Sequence, residues 1–436
     1  MTKDLIRYMM HWAPWAQRIC GGRTPGDMDV TQPVFDPFDP RMLEDPFPTY
    51  AALREGGAVP YYEGVISPYF VVLRYDDVRD AEVDTERYTA RYGTGPLYLD
   101  PGALCEDGPE HMAFRMMVQA RFAPKALRRL QDPINMFISD LVDEMTAEGR
   151  RDADLNHALG LPVPVKTTQH LLGGYDVDHR ELAHLADRSM HYSRYGGDPD
   201  VIAGVRGRIA EIFDAWIDER EAKLRDAGID APDRTHVGTI LPDDLVSDLL
   251  VGRWDEQRLT RAQLHKMLIV MLVGGIETTN HLITNCIWRL LQDRSRWEAV
   301  MADQEGLIPV AIEESLRFDP PGLGLWRTTL KEIELHGQVI PAHTKVQMAY
   351  AAANRDPRVF PDPDTFRLDR PMAEMRRHLS FGAGPHTCLG QYLARMELQL
   401  VLKALFQRLP TLRLAGETKR IENFSFWGRH KLPVAW

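Results

Sequence analysis

Apolar residues recur every three or four positions along most of the chain, a spacing typical of helices with one buried face. Clear examples are residues 209–224 and residues 389–409. Extended stretches rich in β-branched and aromatic residues are fewer, at residues 69–75 and in a hairpin-like segment over 333–348 with His336 at its turn. Strands and helices do not alternate regularly, so a parallel doubly wound sheet is not expected. The pattern predicts a mainly α fold with a small antiparallel β section.

The longest helical pattern covers residues 260–292, which would form a rod of roughly 50 Å. Its centre is apolar at every position, which predicts burial on all sides, but this apolar run is too short to span a membrane. The segment GGIETT follows, with Gly274, Glu277 and Thr278. It predicts either a kinked core helix with an internally satisfied polar pair, or a place where a bound group approaches the backbone and needs a proton source.

Composition and charge narrow the class of protein. The 436 residues include 52 Lys+Arg and 63 Asp+Glu, which gives a net charge of −11, and 44% of the residues are hydrophobic. This balance is that of an ordinary soluble globular protein. An acidic chain without a Lys/Arg-rich block is a poor partner for a phosphate backbone, so a nucleic-acid function is excluded.

The cysteines and the N-terminus give few signals of their own. Cys20, Cys105, Cys286 and Cys388 are the only cysteines, and no two of them stand in a CxxC spacing. Zinc and iron–sulfur sites built from cysteines are therefore excluded, and a reducing cytoplasm is expected. The first twenty residues lack the apolar core of a signal peptide and the length of a membrane span, although they could form a weak amphipathic helix.

The segment FGAGPHTCLG, from Phe381 to Gly390, precedes a predicted helix and carries the most specific chemistry. Three glycines and a proline predict an unusual loop that places Cys388 at a helix N-terminus, where the dipole favours the thiolate. Such a thiolate could be a nucleophile with His386 as its base, half of a zinc site with His386, or a structural cysteine. It could also be the single axial ligand of a haem iron, which needs no further protein ligand.

Several motifs together resemble the cytochrome P450 family. The Cys388 loop has that family's haem-binding pattern, and the GGIETT segment resembles the signature of its long helix. Glu314 and Arg317 match its E-x-x-R motif, and residues 354–370 resemble its meander. The resemblance runs in the family's order over residues 46–436 and leaves residues 1–45 as an N-terminal extension. It implies the cytochrome P450 fold, with haem b (iron protoporphyrin IX) between the long helix and the cysteine loop.

The resemblance also assigns roles to individual residues. Cys388 would be the axial iron ligand, with Thr278 and Glu277 as the catalytic proton relay. Glu314, Arg317 and Arg370 would form a buried structural lock. The other residues expected to contact the haem, the first four of them through its propionates, are His111, Arg115, Arg327, His386, Phe381 and Gly274. The expected lining of the substrate pocket is nearly all apolar and includes Tyr92, Leu97, Tyr98, Leu272, Leu323, Leu325 and Phe426.

The implied activity is that of a haem-thiolate monooxygenase, which would insert one oxygen atom of O2 into a small hydrophobic substrate. The chain has no flavin or nicotinamide fingerprint, so the likeness to bacterial members implies an iron–sulfur ferredoxin and its flavoprotein reductase as electron donors. A basic patch for such a partner is expected around Arg376, Arg377 and Lys403. We expect a cytoplasmic monomer without a membrane span. A peroxide-using peroxygenase and a haem-binding sensor or scaffold remain as alternatives.

Overall fold

Helices dominate residues 35–63, 67–195 and 197–436, which the computed structural model describes. This confirms the predicted mainly α class. The segment predicted at 209–224 lies within one long helix, and the segment predicted at 389–409 contains another, Gln391–Arg408. In chain order, the helices are α1 (Pro40–Glu44), α2 (Phe47–Glu55), α3 (Tyr75–Val83), α4 (Gly108–Val118), α5 (Pro124–Leu127), α6 (Gln131–Thr146), α7 (Pro162–Leu172), α8 (His179–Tyr195), α9 (Pro199–Asp226), α10 (Leu245–Val251), α11 (Arg261–Leu291), α12 (Arg294–Ala302), α13 (Gln304–Phe318), α14 (Tyr350–Ala353), α15 (Met372–Met375) and α16 (Gln391–Arg408).

The strands are short and form small sheets. They are β1 (Tyr61–Tyr62), β2 (Tyr69–Val72), β3 (Tyr88–Thr89), β4 (Asp152–Asp154), β5 (Arg253–Trp254), β6 (Gln257–Arg258), β7 (Leu325–Thr329), β8 (Ile333–Leu335), β9 (Gln338–Ile340), β10 (Lys345–Met348), β11 (Arg413–Leu414), β12 (Lys419–Arg420), β13 (Arg429–Lys431) and β14 (Pro433–Ala435). The largest described sheet has five strands in the order β1-β2-β10-β7-β3. Its β2–β10 pair is parallel and its other pairs are antiparallel, so this sheet is mixed.

The extended segments differ from the predictions at two places. Strand β2 ends at Val72, and Tyr75 already begins a helix. In the predicted hairpin only β8 and β9 pair with each other, around His336 and Gly337 with φ of 48° and 78°. Strand β10 leaves this hairpin and enters the five-stranded sheet between β2 and β7. Partners that lie far away in the sequence, rather than the local turn, decide where β10 pairs.

The longest helix, α11, agrees with the prediction for residues 260–292. Thr260 and Gln263 form a capping box at its start, since each side chain accepts a hydrogen bond from the other residue's backbone N–H. Within the described residues, α11 is the one helix long and apolar enough to cross a membrane, and 56% of its most apolar window is buried in the protein. It packs against α7, α8, α13 and α16, so its place in the core accounts for this composition.

The predicted burial of the apolar centre of α11 holds for only part of its circumference. Leu268 and Leu272 are buried, whereas Val270 and Val273 are half-buried and Gly274 is exposed. A Cβ atom added at Gly274 would meet nothing within 4 Å. One side of α11 therefore faces open space at the level of its two glycines.

The first described residues pack onto the body of the protein. Phe35 and Met42 are buried in a cluster with residues of the five-stranded sheet, and the Phe35 N–H donates to the Tyr61 carbonyl over 2.8 Å. Residues 1–34, including the predicted amphipathic segment, lie outside the described residues. The division at residue 45 into an extension and a domain stays a prediction.

Candidate functional site

A loop ahead of α16 presents Cys388. Its backbone N–H donates to the Phe381 carbonyl over 2.9 Å, which closes the loop on itself. Gly384 has a φ of 66°, and a Cβ atom there would lie 3.0 Å from the Cα of Val83. A larger residue would therefore be strained and would collide with α3. Held in this way, the Cys388 side chain is left exposed.

The electrostatics around the Cys388 thiol act in two directions. The dense protein around the loop partly desolvates the thiol, although its surface stays accessible, and this raises its pKa. The backbone N–H groups of Gly390 and Gln391 and the positive charge of Arg115 lower the pKa. The net direction is upward, because desolvation outweighs the amides, although these amides lower the pKa as the position at a helix N-terminus predicts. The amides do point at the sulfur, and they would stabilise negative charge on it.

Basic side chains gather beside the cysteine loop. The His111 and His386 rings are in contact, tilted by 37° with their centroids 4.2 Å apart, and Arg115 donates to the Thr387 carbonyl over 2.8 Å. Burial lowers the pKa of His111 to about 4, so this imidazole is neutral at pH 7. His386 Nε2 lies 2.8 Å from a carboxylate oxygen of Asp107. The structure thus brings three of the four expected propionate partners together at the cysteine.

Arg327, the fourth expected propionate partner, is buried and paired with an acid. Its guanidinium donates to Glu82 over 2.8 Å, and the Tyr350 hydroxyl donates to the other oxygen of the same carboxylate over 2.8 Å. The charge of Arg327 also acts on Asp107, so the two groups of basic residues are neighbours. Neither acid could be recognised from the sequence, because Glu82 lies in an ordinary amphipathic helix and Asp107 in a loop. Neither residue belongs to a local sequence motif.

The segment from Gly274 to Thr279 remains α-helical. The Thr278 hydroxyl donates to the Gly274 carbonyl over 2.9 Å, and the helix is continuous through both glycines. The Glu277 carboxylate is 13% exposed and lies 3.5 Å from Nε2 of His281, one turn further along. The sequence therefore identified Thr278 and Glu277 as an unusual pair but missed the imidazole beside them.

The Glu–Arg–Arg set is fully buried away from the cysteine. Arg317 donates two hydrogen bonds of 2.7 Å to Glu314, and neither side chain has exposed area. Arg370 reaches the same carboxylate with its Nε at 3.2 Å. Arg317 also donates to backbone carbonyls of the segment after the five-stranded sheet. This arrangement ties α13 to the segment that leads into the cysteine loop.

The seven expected substrate-pocket residues are divided among several packing clusters. Leu323 and Phe426 lie close together, because the Leu323 N–H donates to the Ser425 carbonyl over 2.8 Å and Gly322 forms a β-bridge with Phe426. Leu272 belongs to the main helical core. The three half-buried members are Tyr92, Leu97 and Leu325.

Tyr98 is buried, and its hydroxyl already has a partner. It donates to the His343 carbonyl over 2.8 Å, and the ammonium group of Lys345 lies 5.0 Å from its ring. Arg91, a further candidate polar contact for a ligand, is 63% exposed and pairs with Glu106. The polar groups of Tyr98 and Arg91 are therefore already engaged by other described residues and offer little to hold a charged ligand.

The expected basic patch is only partly available. Arg376 and Arg377 are exposed, and the Arg377 guanidinium lies 5.7 Å from the Tyr75 ring. Lys403 donates to Glu305 over 2.7 Å, so an acid partly neutralises its charge.

The residues present fit a haem. An exposed thiol accepts from two backbone N–H groups, basic side chains stand beside it, and Gly274 leaves open space above the long helix. Phe381 is half-buried under the guanidinium of Arg395 at 4.5 Å, where it supports the loop. Across the described ranges, no group of three His, Cys, Asp or Glu residues could hold a bare metal ion.

Comparison with known families and sequences gives consistent results. Residues 200–428 match the family model described as cytochrome P450. The chain is 32% identical over 418 residues to nocardicin C N-oxygenase of Nocardia uniformis subsp. tsuyamanensis, with 92% of this chain and 98% of that protein covered. It is 30% identical to a steroid C26-monooxygenase of Mycolicibacterium smegmatis, with 83% of this chain and 86% of that protein covered.

Solved structures agree on the fold. The cytochrome P450 PksS of the bacillaene polyketide synthase from Bacillus subtilis 168 superposes with a TM-score of 0.80 at 25% identity, covering 92% of this chain and 99% of that one. CYP108D1 from Novosphingobium aromaticivorans gives a TM-score of 0.78 at 26% identity, covering 91% and 96%.

Proposed function

Since the chain belongs to the cytochrome P450 family, we propose that this monooxygenase inserts one oxygen atom of O2 into a small hydrophobic substrate by hydroxylation or epoxidation. Haem b would be its cofactor, and the Cys388 thiolate would hold the iron. The observation that carries the proposal is the exposed Cys388 thiol, held by a glycine loop against two backbone N–H groups. When bound, the haem-thiolate supplies oxygen activation, with electron donation from sulfur favouring O–O cleavage.

The basic cluster holds the haem carboxylates. Arg115, His111 and His386 lie beside the cysteine loop, and Arg327 lies nearby with Glu82 as its partner. Charge-assisted hydrogen bonds from such groups stabilise carboxylates that are partly removed from water. Glu82 neutralises Arg327, so Arg115 contributes the larger net positive charge. Gly274 allows the cofactor a close approach to α11, and Phe381 supports the loop from below.

Thr278 would hold a water and Glu277 would pass protons at the side of α11 that faces the cofactor. The Thr278 hydroxyl is held by the Gly274 carbonyl, which leaves its oxygen free to accept a hydrogen bond from a water. Glu277 is mostly shielded from solvent and can pass a proton along the helix surface. The two side chains together supply protons where oxygen is reduced and keep other water away.

A neutral, mostly apolar small molecule is the proposed substrate, with terpenoids or alkyl-substituted rings ahead of fatty acids. The available side chains support this choice, because Leu323 and Phe426 are apolar neighbours and Tyr98 has its hydroxyl engaged. Binding would come from removing hydrocarbon surface from water, at about 25 cal/mol per Å². A steroid C26-monooxygenase among the relatives acts on a molecule of this kind.

Electrons come from an iron–sulfur ferredoxin and its flavoprotein reductase, in a cytoplasmic monomer. Exposed Arg376 and Arg377 are the proposed contacts for an acidic partner. Redox encounters of this kind are small and electrostatic, so exchanging either arginine for glutamate should slow reduction without changing substrate binding.

Carbon monoxide binding to the reduced protein tests the central assignment. Wild-type protein should give the red-shifted Soret band of a thiolate-ligated haem, and Cys388→Ser should lose it. Cys105→Ser is the matched control, because this partly buried cysteine lies outside the loop, and it should keep the band. A histidine-type band in folded wild-type protein would refute the proposal.

A further inference from the structure

A cavity of about 640 Å³ lies along α11, between this helix, α6, α7 and α8. It is unusually rich in histidine, and none of the expected substrate-pocket residues lines it. The titratable groups toward its outer part are exposed and include His157, His184, Asp187 and His430. Its inner part is formed by Glu277 and His281, which are largely shielded. The cavity therefore connects the protein surface with the acid of the long helix.

His281 is the unusual group at the inner part of this cavity. It is 2% exposed, and among the described residues neither of its ring nitrogens finds a hydrogen-bond partner. The Oε2 atom of Glu277 also has none, while its Oε1 lies 3.5 Å from Nε2 of His281. Leaving buried polar atoms unpaired costs about 1–3 kcal/mol each. Glu277 and His281 both carry such atoms beside a polar cavity, which points to a function that binds water or moves a proton at this place.

Packing fixes the orientation of the His281 ring. A Cβ atom at residue 428 would collide with its Nδ1, so only glycine leaves room for the imidazole. The Phe426 ring covers another side, with its centroid 5.8 Å away. The imidazole is thereby held one helical turn from Glu277.

We propose that His281 is the relay residue that returns protons to Glu277, and that the histidine-lined cavity is the route by which they enter. This inference rests on the proposed monooxygenase function. The imidazolium gives the proton on Nε2 to the Glu277 carboxylate, either directly after a small rotation of that carboxylate or through one water. The neutral imidazole is then reprotonated by a proton that passes inward from bulk solvent along the cavity, so one proton enters for each one delivered.

Charged groups from every neighbouring element act on this pair. Helix α8 contributes His184, Asp187 and His191, and the pKa of Asp187 is raised first by partial desolvation and then by the charge of Glu277. The remaining charged or titratable cavity residues are Glu144, Arg150, His157, His179, Arg180 and His430. Acids and imidazoles are mixed along the whole route, which suits the passage of protons better than the binding of one anion.

His281→Gln tests the relay, because glutamine has polar atoms but does not titrate near neutral pH. The expected result is at least a tenfold slower coupled turnover, a larger solvent isotope effect and an altered pH profile. His265→Gln is the matched control on the same helix, where His265 pairs with Asp214 at 2.9 Å near the surface, and it should behave as wild type.

A second readout does not depend on turnover. Nitrogen-15 NMR of the reduced carbon monoxide complex should show His281 titrating, with its midpoint displaced by Glu277→Gln. Wild-type kinetics and a wild-type isotope effect in His281→Gln would overturn the relay. A titration midpoint of His281 that is the same with and without Glu277→Gln would also overturn it. If His281→Gln does not fold, His281→Asn and the NMR titration decide. An unchanged thiolate band in these variants would separate failure of the relay from failure of the proposed function.

Discussion

Replacing Arg317 by alanine should strongly destabilise the protein, although this residue lies away from the cysteine. Glu314 and Arg317 have no exposed side-chain area, and two hydrogen bonds of 2.7 Å join them. The Arg317 guanidinium also donates to the carbonyls of three residues after the five-stranded sheet, at 2.8–3.2 Å. The Arg317→Ala variant would lose all of these bonds and leave the Glu314 carboxylate buried.

The size of the effect follows from what remains around Glu314. Its carboxylate would keep Arg370 at 3.2 Å and the backbone N–H of Arg367 at 3.0 Å, so its charge would be only partly compensated. Breaking a buried ion pair from one side costs about 3–5 kcal/mol. Against a typical total of about 5–15 kcal/mol, this is a large fraction of the free energy of unfolding.

Urea unfolding of the holoprotein, followed by circular dichroism and by haem absorbance, measures this loss. The control is Arg79→Ala, since Arg79 and Asp76 have the same i,i+3 spacing at 2.9 Å but are 44% and 68% exposed. Exposed pairs contribute about 0–1 kcal/mol, so this variant should stay near wild type. A loss of less than about 1 kcal/mol in Arg317→Ala, or one equal to that of the control, would refute the reasoning.

Three further predictions concern chemistry and pH. Thr278→Ala should keep substrate binding and NAD(P)H consumption but divert oxygen to hydrogen peroxide, and Glu277→Gln should slow turnover; full coupling and rate in both would contradict the relay. Burial alone would raise the pKa of Glu313, but His378 and Arg395 lower it to about 2. Its stabilising contribution should be complete above pH 4.5 and disappear as the pH falls through 2, so acid unfolding of Glu313→Gln should lack this component. Apolar ring compounds should move the Soret band toward its high-spin position; a shift with charged hydrophilic compounds alone would contradict the proposed pocket.

Local sequence was enough to predict the features that depend on local rules. The helical pattern placed the start of α11 near Thr260, where the structure has a capping box, and the glycines and proline of the cysteine loop predicted its unusual shape. The E-x-x-R spacing placed Glu314 and Arg317 on one helix face, as found. In each case the interacting residues are at most a few positions apart.

Features that depend on distant partners could not be predicted. Glu82 meets Arg327 across 245 positions, and Asp107 meets His386 across 279. The net upward pKa of Cys388 also depends on distant residues, because desolvation by the surrounding fold outweighs the local amides. His281 gave no signal as one polar residue on a long helix, until packing placed it beside a cavity.

The position of β10 in the five-stranded sheet also determines when this sheet can form during synthesis. Strand β2 pairs with β10 in parallel, with Tyr69 opposite Lys345. A ribosome adding about 5–20 residues per second needs on the order of 15–55 s to make the chain between them. Throughout that time one edge of β2 lacks its native neighbour and can pair with other chains. Rapid overproduction should therefore yield aggregates nucleated by the N-terminal strands, and slower translation or lower temperature should increase the soluble fraction.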